Sequence, residues 1–485
     1  MHIVFAASEC VPFAKTGGLA DVMGALPREV AKLGHEVTVY LPLYARVRPH
    51  LDEELKVAVK SITIPFETYN RFVEIVDGGQ RAGVQYYFVN CPELFDRNEL
   101  YGTVAGDYPD NAERFGLFCR AVLEAAKLLG IPEVFNVHDW QAALIPVYLR
   151  TVYEADPVLR RAATVLTIHN AAYQGKFPPS TTPQLLFPWQ VFTMEKVEEY
   201  DRFNFLKGGI VFCDMLTTVS RKYAEEIQTA EFGEQLEGVI LKRAADLRGI
   251  LNGADYELWD PAKDGYLAAH YTRKNLGGKR ACRKDLLHAF GLENVAETTP
   301  IIGIVSRLAT MKGFDLVAAI AEELAARDLA VVARGTGEPV YEKFFREWAL
   351  LHPTKVAAQI RYDDTLAHKI EAGSDMFLMP SHYEPCGLNQ MYSLKYGTVP
   401  VVRATGGLDD TIEEWNAEKG TGTGFKFKGL EPAELLATLD RALEAFQDEE
   451  AWRILMRNGM TQDYGWAGSA REYTAVYEEA ARHRA

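Results

Sequence analysis

Cysteine is scarce and scattered. The six thiols, Cys10, Cys91, Cys119, Cys213, Cys282 and Cys386, include no C-x-x-C pair and no metal-finger spacing. A disulfide framework is not expected, and a reducing, cytoplasmic compartment fits best. Positive charge is also in deficit. Lys and Arg total 52 against 67 Asp and Glu, a formal net charge of −15. That balance argues against a nucleic-acid or anionic-membrane surface. It leaves an anionic small substrate possible, because a few local cations reverse the potential inside a cleft. No run of eighteen uncharged apolar residues occurs, so a transmembrane helix is not expected. The chain enters a strand within two residues of Met1, which leaves no room for a signal peptide. No short tandem repeat and no low-complexity segment is present.

What is there is alternation. Apolar residues make up 48% of the chain, and 485 residues imply two or three domains. His2 to Ala7 reads as a strand, the stretch to Gly34 as a helix, and Glu36 to Pro42 as a second strand. Lys56 to Phe66, Arg71 to Val76 and Val84 to Asn90 follow as strands. Asn111 to Leu129 reads as a helix ended by Gly130 and Pro132. Strands are expected at Val134 to His138, Ala163 to His169 and Phe212 to Val219. Helices are expected over Trp140 to Tyr153 and Arg221 to Ala230. A second series opens with Ile301 to Ser306, then a single helix from Phe314 to Ala326. Strands at Leu329 to Ala333, Asp375 to Met379 and Val399 to Arg403 complete it. Alternation of this kind predicts parallel sheets covered on both faces. The fold class is α/β, with two doubly wound Rossmann-like domains facing a central cleft. The domains are expected over residues 1–250 and 251–461, with the change-over around Asn252-Gly253-Ala254-Asp255. Residues 462–485 form a helical segment that packs back on the first domain.

In such a fold, ligands bind beyond the carboxyl ends of strands. Lys15-Thr16-Gly17-Gly18-Leu19-Ala20-Asp21 occupies that position after the opening strand. Two glycines and a helix start suit an anion, Lys15 adds a cation, and Asp21 suits hydroxyls. The pattern is neither a P-loop nor the dinucleotide fingerprint. Arg307 ends the Ile301 strand and Lys312 follows five residues later, where two cations suit a departing diphosphate. Glu384-Pro385-Cys386-Gly387 and Thr405-Gly406-Gly407-Leu408 close two further strands. The carboxylate suits sugar hydroxyls, and the second glycine pair reads as another anion site. Cys386 lacks a local base to activate it as a nucleophile. His138-Asp139 and His169-Asn170 end strands of the first half. No spacing around them completes a metal site, so no metal and no cofactor is expected.

Taken in order, these segments resemble the bacterial glycogen and plant starch synthases. The matching stretches are Lys15 to Val22, Val137 to Trp140, Thr167 to Asn170, Ile250 to Gly253 and Val305 to Leu308 with Lys312-Gly313. Pro380 to Leu388, Leu394 to Thr398 and Thr405 to Leu408 complete the set. They span almost the whole chain and depart from many members of the family at Gln141 and Met311, whereas Met391, where several related transferase families carry a second Glu, is a feature shared by glycogen synthases of this type. The resemblance implies the GT-B glycosyltransferase fold and transfer of glucose from ADP-glucose to the non-reducing end of an α-1,4-glucan, with retained configuration. It implies that Lys15, Gly18, Arg307 and Lys312 bind the donor diphosphate. Asp21 and Asn252 match positions at the donor's sugar or phosphate end, and Tyr362 matches the residue stacked on adenine. Glu384, Cys386 and Gly387 match the motif gripping the transferred glucose, and Gly406, Gly407 and Leu408 belong to the same donor site. His169 matches a residue beside the anomeric carbon, and Asp139 a catalytically important position. Three rivals remain open on the residues alone. They are a phosphorylase carrying pyridoxal phosphate, a nucleotide-sugar epimerase and a non-catalytic glucan-binding protein. UDP-glucose is the competing donor.

Overall fold

The computed structural model describes residues 1–52, 55–103 and 105–484. Ala485, the end of the expected C-terminal segment, lies outside them. The chain divides into two compact units, residues 1–253 with 466–485, and residues 254–465. The chain crosses between units twice, at neighbouring points. Gly253 lies against Trp466, where an added Cβ would come within 2.6 Å of the tryptophan, and Ala254 N–H donates to the Tyr464 carbonyl at 2.7 Å.

The first unit is built on a nine-stranded sheet. Its strands are β1 (His2–Ala6), β2 (Glu36–Pro42), β3 (Val57–Pro65), β4 (Asn70–Arg81), β5 (Val84–Asn90), β6 (Val134–His138), β7 (Ala163–Ile168), β8 (Met215–Thr218) and β9 (Leu247–Gly249). The spatial order is β9-β8-β7-β6-β1-β2-β5-β4-β3. From β9 to β5 every pairing is parallel. Strands such as β1, β6 and β7 are buried along their length, as strands covered on both faces must be. The expected all-parallel plan fails at one edge, where β3, β4 and β5 pair antiparallel. The reason is local. Gly83, at φ +83°, turns the chain between β4 and β5, a connection too short for a parallel crossover. There β3 alternates, with Ile62 and Ile64 buried between exposed neighbours.

The helix Trp466–Arg482 belongs to this unit. Tyr477 in it donates its hydroxyl to Asn136 Oδ1 of β6 at 2.7 Å. The expected helix over Trp140 to Tyr153 is instead two short ones, Asp139–Ala142 and Leu144–Leu149. Pro146, which has no N–H to donate, falls in the first turn of the second piece. Phe212, expected in a strand, ends the helix Phe205–Phe212, which Asn204 caps by accepting from Lys207 N–H.

The second unit carries a six-stranded sheet. Its strands are β10 (Ile301–Val305), β11 (Ala330–Arg334), β12 (Val356–Gln359), β13 (Met376–Met379), β14 (Val399–Arg403) and β15 (Phe425–Phe427), ordered β12-β11-β10-β13-β14-β15 and all parallel. The single helix expected over Phe314 to Ala326 breaks at Ile320, whose φ is −115°. Leu316, Ile320 and Leu324 still share one buried stripe, with Ile304, Val331 and Phe345 in the same core. Burial pattern therefore survives where helix continuity does not. Among the described residues, no helix is long and apolar enough to cross a membrane.

Candidate functional site

The parallel part of each large sheet reverses its strand order at one place, and ligand sites of open α/β sheets form there. In the first unit the reversal lies between β1 and β6. The loop after β1 holds Lys15, while Gly18 and Asp21 lie in the first turn of the helix that follows, and Asp139 stands at the turn after β6. Lys15 Nζ donates to Asp21 Oδ1 at 2.7 Å across the start of the helix Gly18–Lys32. A Cβ added at Gly17 or Gly18 would meet nothing within 4 Å, so these glycines are not demanded by packing.

The anion that meets this helix start is the protein's own. Glu9 is buried. Its carboxylate accepts from Thr16 N–H and Thr16 Oγ1, both at 2.5 Å, from Gly17 N–H at 3.1 Å and from the Tyr101 hydroxyl at 2.6 Å. The amide of Gly17, read above as a place for a ligand anion, is therefore already engaged. Sequence reasoning passed over Glu9 and Tyr101. The available signal was a carboxylate three residues beyond β1, in the same loop as the glycines.

At the end of β6, Asp139 sits at φ +53°, in the left-handed region that a non-glycine residue seldom occupies. Its Oδ1 accepts from His169 N–H at 2.7 Å, joining the ends of β6 and β7. Burial pushes its carboxyl up to about 7, backbone donors of His169 and Asn170 oppose that, and the charge of Glu9 adds to it. His138, though it ends a strand at the ligand edge of the sheet, is wholly buried. Its ring stacks on Phe5, and its Nδ1 lies 2.9 Å from His169 Nε2. Burial drives both imidazoles downward, His169 to about 3, so both are neutral near pH 7. Asn252, also in this unit, is buried, and its Oδ1 has no hydrogen-bond partner among the described residues.

In the second unit the reversal lies between β10 and β13. Arg307 follows β10 and is exposed, and Lys312 ends the short 3-10 turn Thr310–Lys312. Lys312 Nζ donates to Glu384 Oε2 at 2.6 Å, across the switch point. Ser381 Oγ donates to the same oxygen at 3.0 Å. The glycines after these residues are packing devices. Gly313 has φ +75°, and a Cβ there would fall 1.9 Å from the Pro380 carbonyl. A Cβ at Gly406, φ +46°, would fall 2.0 Å from the Glu384 carbonyl, and one at Gly407 would fall 2.0 Å from that of Cys386. Gly407 N–H donates to the Glu384 and Pro385 carbonyls at 3.2 and 3.1 Å. The second glycine pair, read as an anion site, thus lets one loop lie directly on the other. Leu408 is buried behind it.

Cys386 is buried, and Gly387 at φ +70° turns the chain toward Gln390, whose Nε2 donates to the Cys386 and Gly387 carbonyls. Tyr362 stands apart, beyond the end of β12, with 66% of its surface exposed and the Arg334 guanidinium 4.5 Å from its ring centre. Among the described residues no group of three or more His, Cys, Asp or Glu could hold a metal.

In the second unit, cations, a held carboxylate and close-packed glycine loops thus stand together at strand ends. Comparison with known proteins is specific. Residues 2–242 match the family model of the starch synthase catalytic domain, and residues 290–455 that of glycosyl transferases group 1. The glycogen synthase of Koribacter versatilis (strain Ellin345) is 55% identical over 100% of this chain and 99% of its own length. That of Anaeromyxobacter dehalogenans (strain 2CP-C) is 48% identical over 98% and 99%. The catalytic domain of starch synthase IV from Arabidopsis thaliana, solved with ADP and acarbose, matches with a TM-score of 0.89 and 30% identity over 99% of each chain. Sucrose-phosphate synthase from Thermosynechococcus elongatus, at 15% identity and a TM-score of 0.60 over 99% and 98%, shares the fold. With full-length identity of this order joined to two α/β units of GT-B type, the chain belongs to the glycogen and starch synthase family of glycosyltransferases.

Proposed function

We propose that this protein lengthens an α-1,4-glucan by transferring glucose from ADP-glucose to its non-reducing end, with retention at the anomeric carbon. The observation that carries this reading is the Lys312–Glu384 pair at the strand-order reversal of the second unit. It sets a cation and a sugar-binding carboxylate in one place, as a nucleotide sugar requires. The relatives are named as glycogen synthases, and a matching starch synthase was solved with ADP and acarbose.

In this reading Arg307, Lys312 and Lys15 stabilise the departing diphosphate, worth about 2.7–4 kcal/mol per preorganised donor. Gly18, Asp21 and Asn252 complete the donor's phosphate and sugar contacts. Glu384, with Cys386, Gly387, Gly406, Gly407 and Leu408, holds the glucose, and Tyr362 carries the base. His169 and Asp139 flank the anomeric carbon. Retention follows by internal return: the diphosphate leaves, takes the acceptor hydroxyl's proton, and the acceptor oxygen bonds to the face just vacated. A double displacement would need a carboxylate nucleophile on the opposite face. The carboxylate of Glu384 is engaged by Lys312 and Ser381. The six cysteines are buried and none forms a disulfide among the described residues, which suits the cytoplasm.

The test is transfer of radiolabelled glucose into glycogen from ADP-glucose and, in parallel, UDP-glucose, without added metal. Incorporation from ADP-glucose that disappears in Lys312→Ala supports the reading. A folded protein inactive with both donors overturns it.

A further inference from the structure

Arg334 is the last residue of β11 and is only 7% exposed. Its Nε and Nη2 are buried without a hydrogen-bond partner, and no carboxylate among the described residues lies within ion-pair distance. A buried guanidinium without a counter-charge is costly, and structures ordinarily pair it. Among the described residues the guanidinium meets one aromatic ring, that of Tyr362, 4.5 Å away.

Both residues stand at the carboxyl edge of the sheet. Arg334 pairs with Gln359 at the end of β12, and Tyr362 lies three residues further on. Tyr362 is held between two fixed points. Arg361 Nη2 pairs with Asp363 at 2.9 Å, and Asp363 caps the helix Asp364–Gly373 through Leu366 N–H. On its other side, the turn after Arg334 is bonded to the Arg307 loop. Leu308 N–H donates to the Thr336 carbonyl at 2.9 Å, and Glu338 N–H to the Leu308 carbonyl at 2.7 Å. A Cβ at Gly335 would fall 1.9 Å from the Ser306 carbonyl, so this turn and the Arg307 loop are in direct backbone contact.

We infer that Arg334 and Tyr362 together form a base-recognition platform that favours a purine nucleoside diphosphate. The guanidinium behind the phenol fixes the plane of the ring and draws π density from it. A ring so depleted stacks better on an electron-rich face, and a purine offers a larger and richer face than a pyrimidine. The unpaired positive charge adds attraction for the anionic tail of the same ligand. Arg334 is a specificity-determining residue and Tyr362 the surface it tunes. The inference rests on the synthase reading above and gives it a reason to prefer ADP over UDP.

The test is calorimetric titration of the full-length protein and of Arg334→Leu, Arg334→Lys and Tyr362→Leu with ADP, UDP and inorganic pyrophosphate, paired with KM and kcat for ADP-glucose. Arg334→Leu is expected to weaken ADP about tenfold, the size of one desolvated cation–π contact. UDP and pyrophosphate change less than ADP. KM for ADP-glucose rises by the same factor with kcat nearly unchanged, and Arg334→Lys, which keeps charge without the plane, falls between. Tyr362→Leu abolishes the difference between ADP and UDP, and provides the check should Arg334→Leu fold poorly. An Arg334→Leu protein that folds and binds ADP as the parent does overturns the platform, as does equal loss for pyrophosphate. In either case, glucan elongation by the parent protein would leave the synthase reading standing. Failure of the parent to bind ADP or to transfer glucose would instead remove both.

Discussion

Lys312 Nζ and Glu384 Oε2 lie 2.6 Å apart, although 72 residues separate them in the chain. Lys312 keeps 21% of its side chain exposed and Glu384 only 8%, so removing the lysine strands a buried carboxylate. Lys312→Ala is expected to lower kcat about 10²- to 10³-fold and to lower the melting temperature. Adding Glu384→Gln restores part of the melting temperature, because the two changes share one interaction, and none of the activity. Calorimetry with radiolabel transfer on both variants decides. A double variant as unstable as the sum of its parts would contradict the pairing.

The two glycine pairs separate by the space around them. Gly407→Ala places a Cβ 2.0 Å from the Cys386 carbonyl, and Gly313→Ala adds a left-handed strain to a similar clash. Each is expected to cost about 2 kcal/mol or more of stability. Gly17→Ala and Gly18→Ala meet nothing within 4 Å. They should melt within a degree or two of the parent while losing donor affinity, if the ligand needs that space. Urea titration reads the first difference and donor KM the second. An unchanged KM in both would remove the loop from the binding site.

Glu9, itself buried, accepts from two backbone amides of exposed residues that lead into the helix Gly18–Lys32. Glu9→Ala is expected to destabilise the protein by about 1.5–3 kcal/mol, the worth of hydrogen bonds to a charged group. Tyr101→Phe, which removes one bond to Glu9 and one to Ser8, should cost less. Amide exchange at Thr16 and Gly17 reports the effect directly, and unchanged protection in Glu9→Ala would refute it.

Stability should depend on pH with opposing slopes from neighbouring groups. Burial raises Asp139 to about 7, so the folded state binds a proton that the unfolded state has released. The contribution of that group is full below its ordinary value near 3.8 and is lost as pH rises through about 7. Burial lowers His169 to about 3, so its contribution is full above 6.5 and is lost as pH falls toward 3. Asp139→Asn removes the first slope. Its melting temperature, relative to that of the parent, should therefore rise steadily between pH 4 and pH 7. A constant difference over that range would show that Asp139 is not held protonated.

Much of the fold was legible because strands buried on both faces write themselves as continuous apolar runs. Val134–His138, Val84–Asn90 and Val399–Arg403 could be bounded from the sequence to the residue. The antiparallel hairpin β3–β4 was not legible as an exception, since direction is set by the length and turn chemistry of connections rather than by strand composition. The breaks at Ile320 and between Ala142 and Leu144 were hidden for a different reason. The apolar stripe that marks a helix depends on burial, and burial continues across a local kink.

The sequence by itself determined which residues stand at the carboxyl ends of strands, and so brought Lys15, Asp139, His169, Arg307, Lys312 and Glu384 forward as a set. Charge and residue type are local properties that survive without coordinates. Only the tertiary structure decided what each of them touches. It placed Glu9 on the amides of the first glycine loop, buried His138 against His169, laid Gly406 and Gly407 on the Glu384 loop and left Arg334 unpaired behind Tyr362. Those relations join residues far apart in the chain, and strand order, which no local pattern encodes, brings them together.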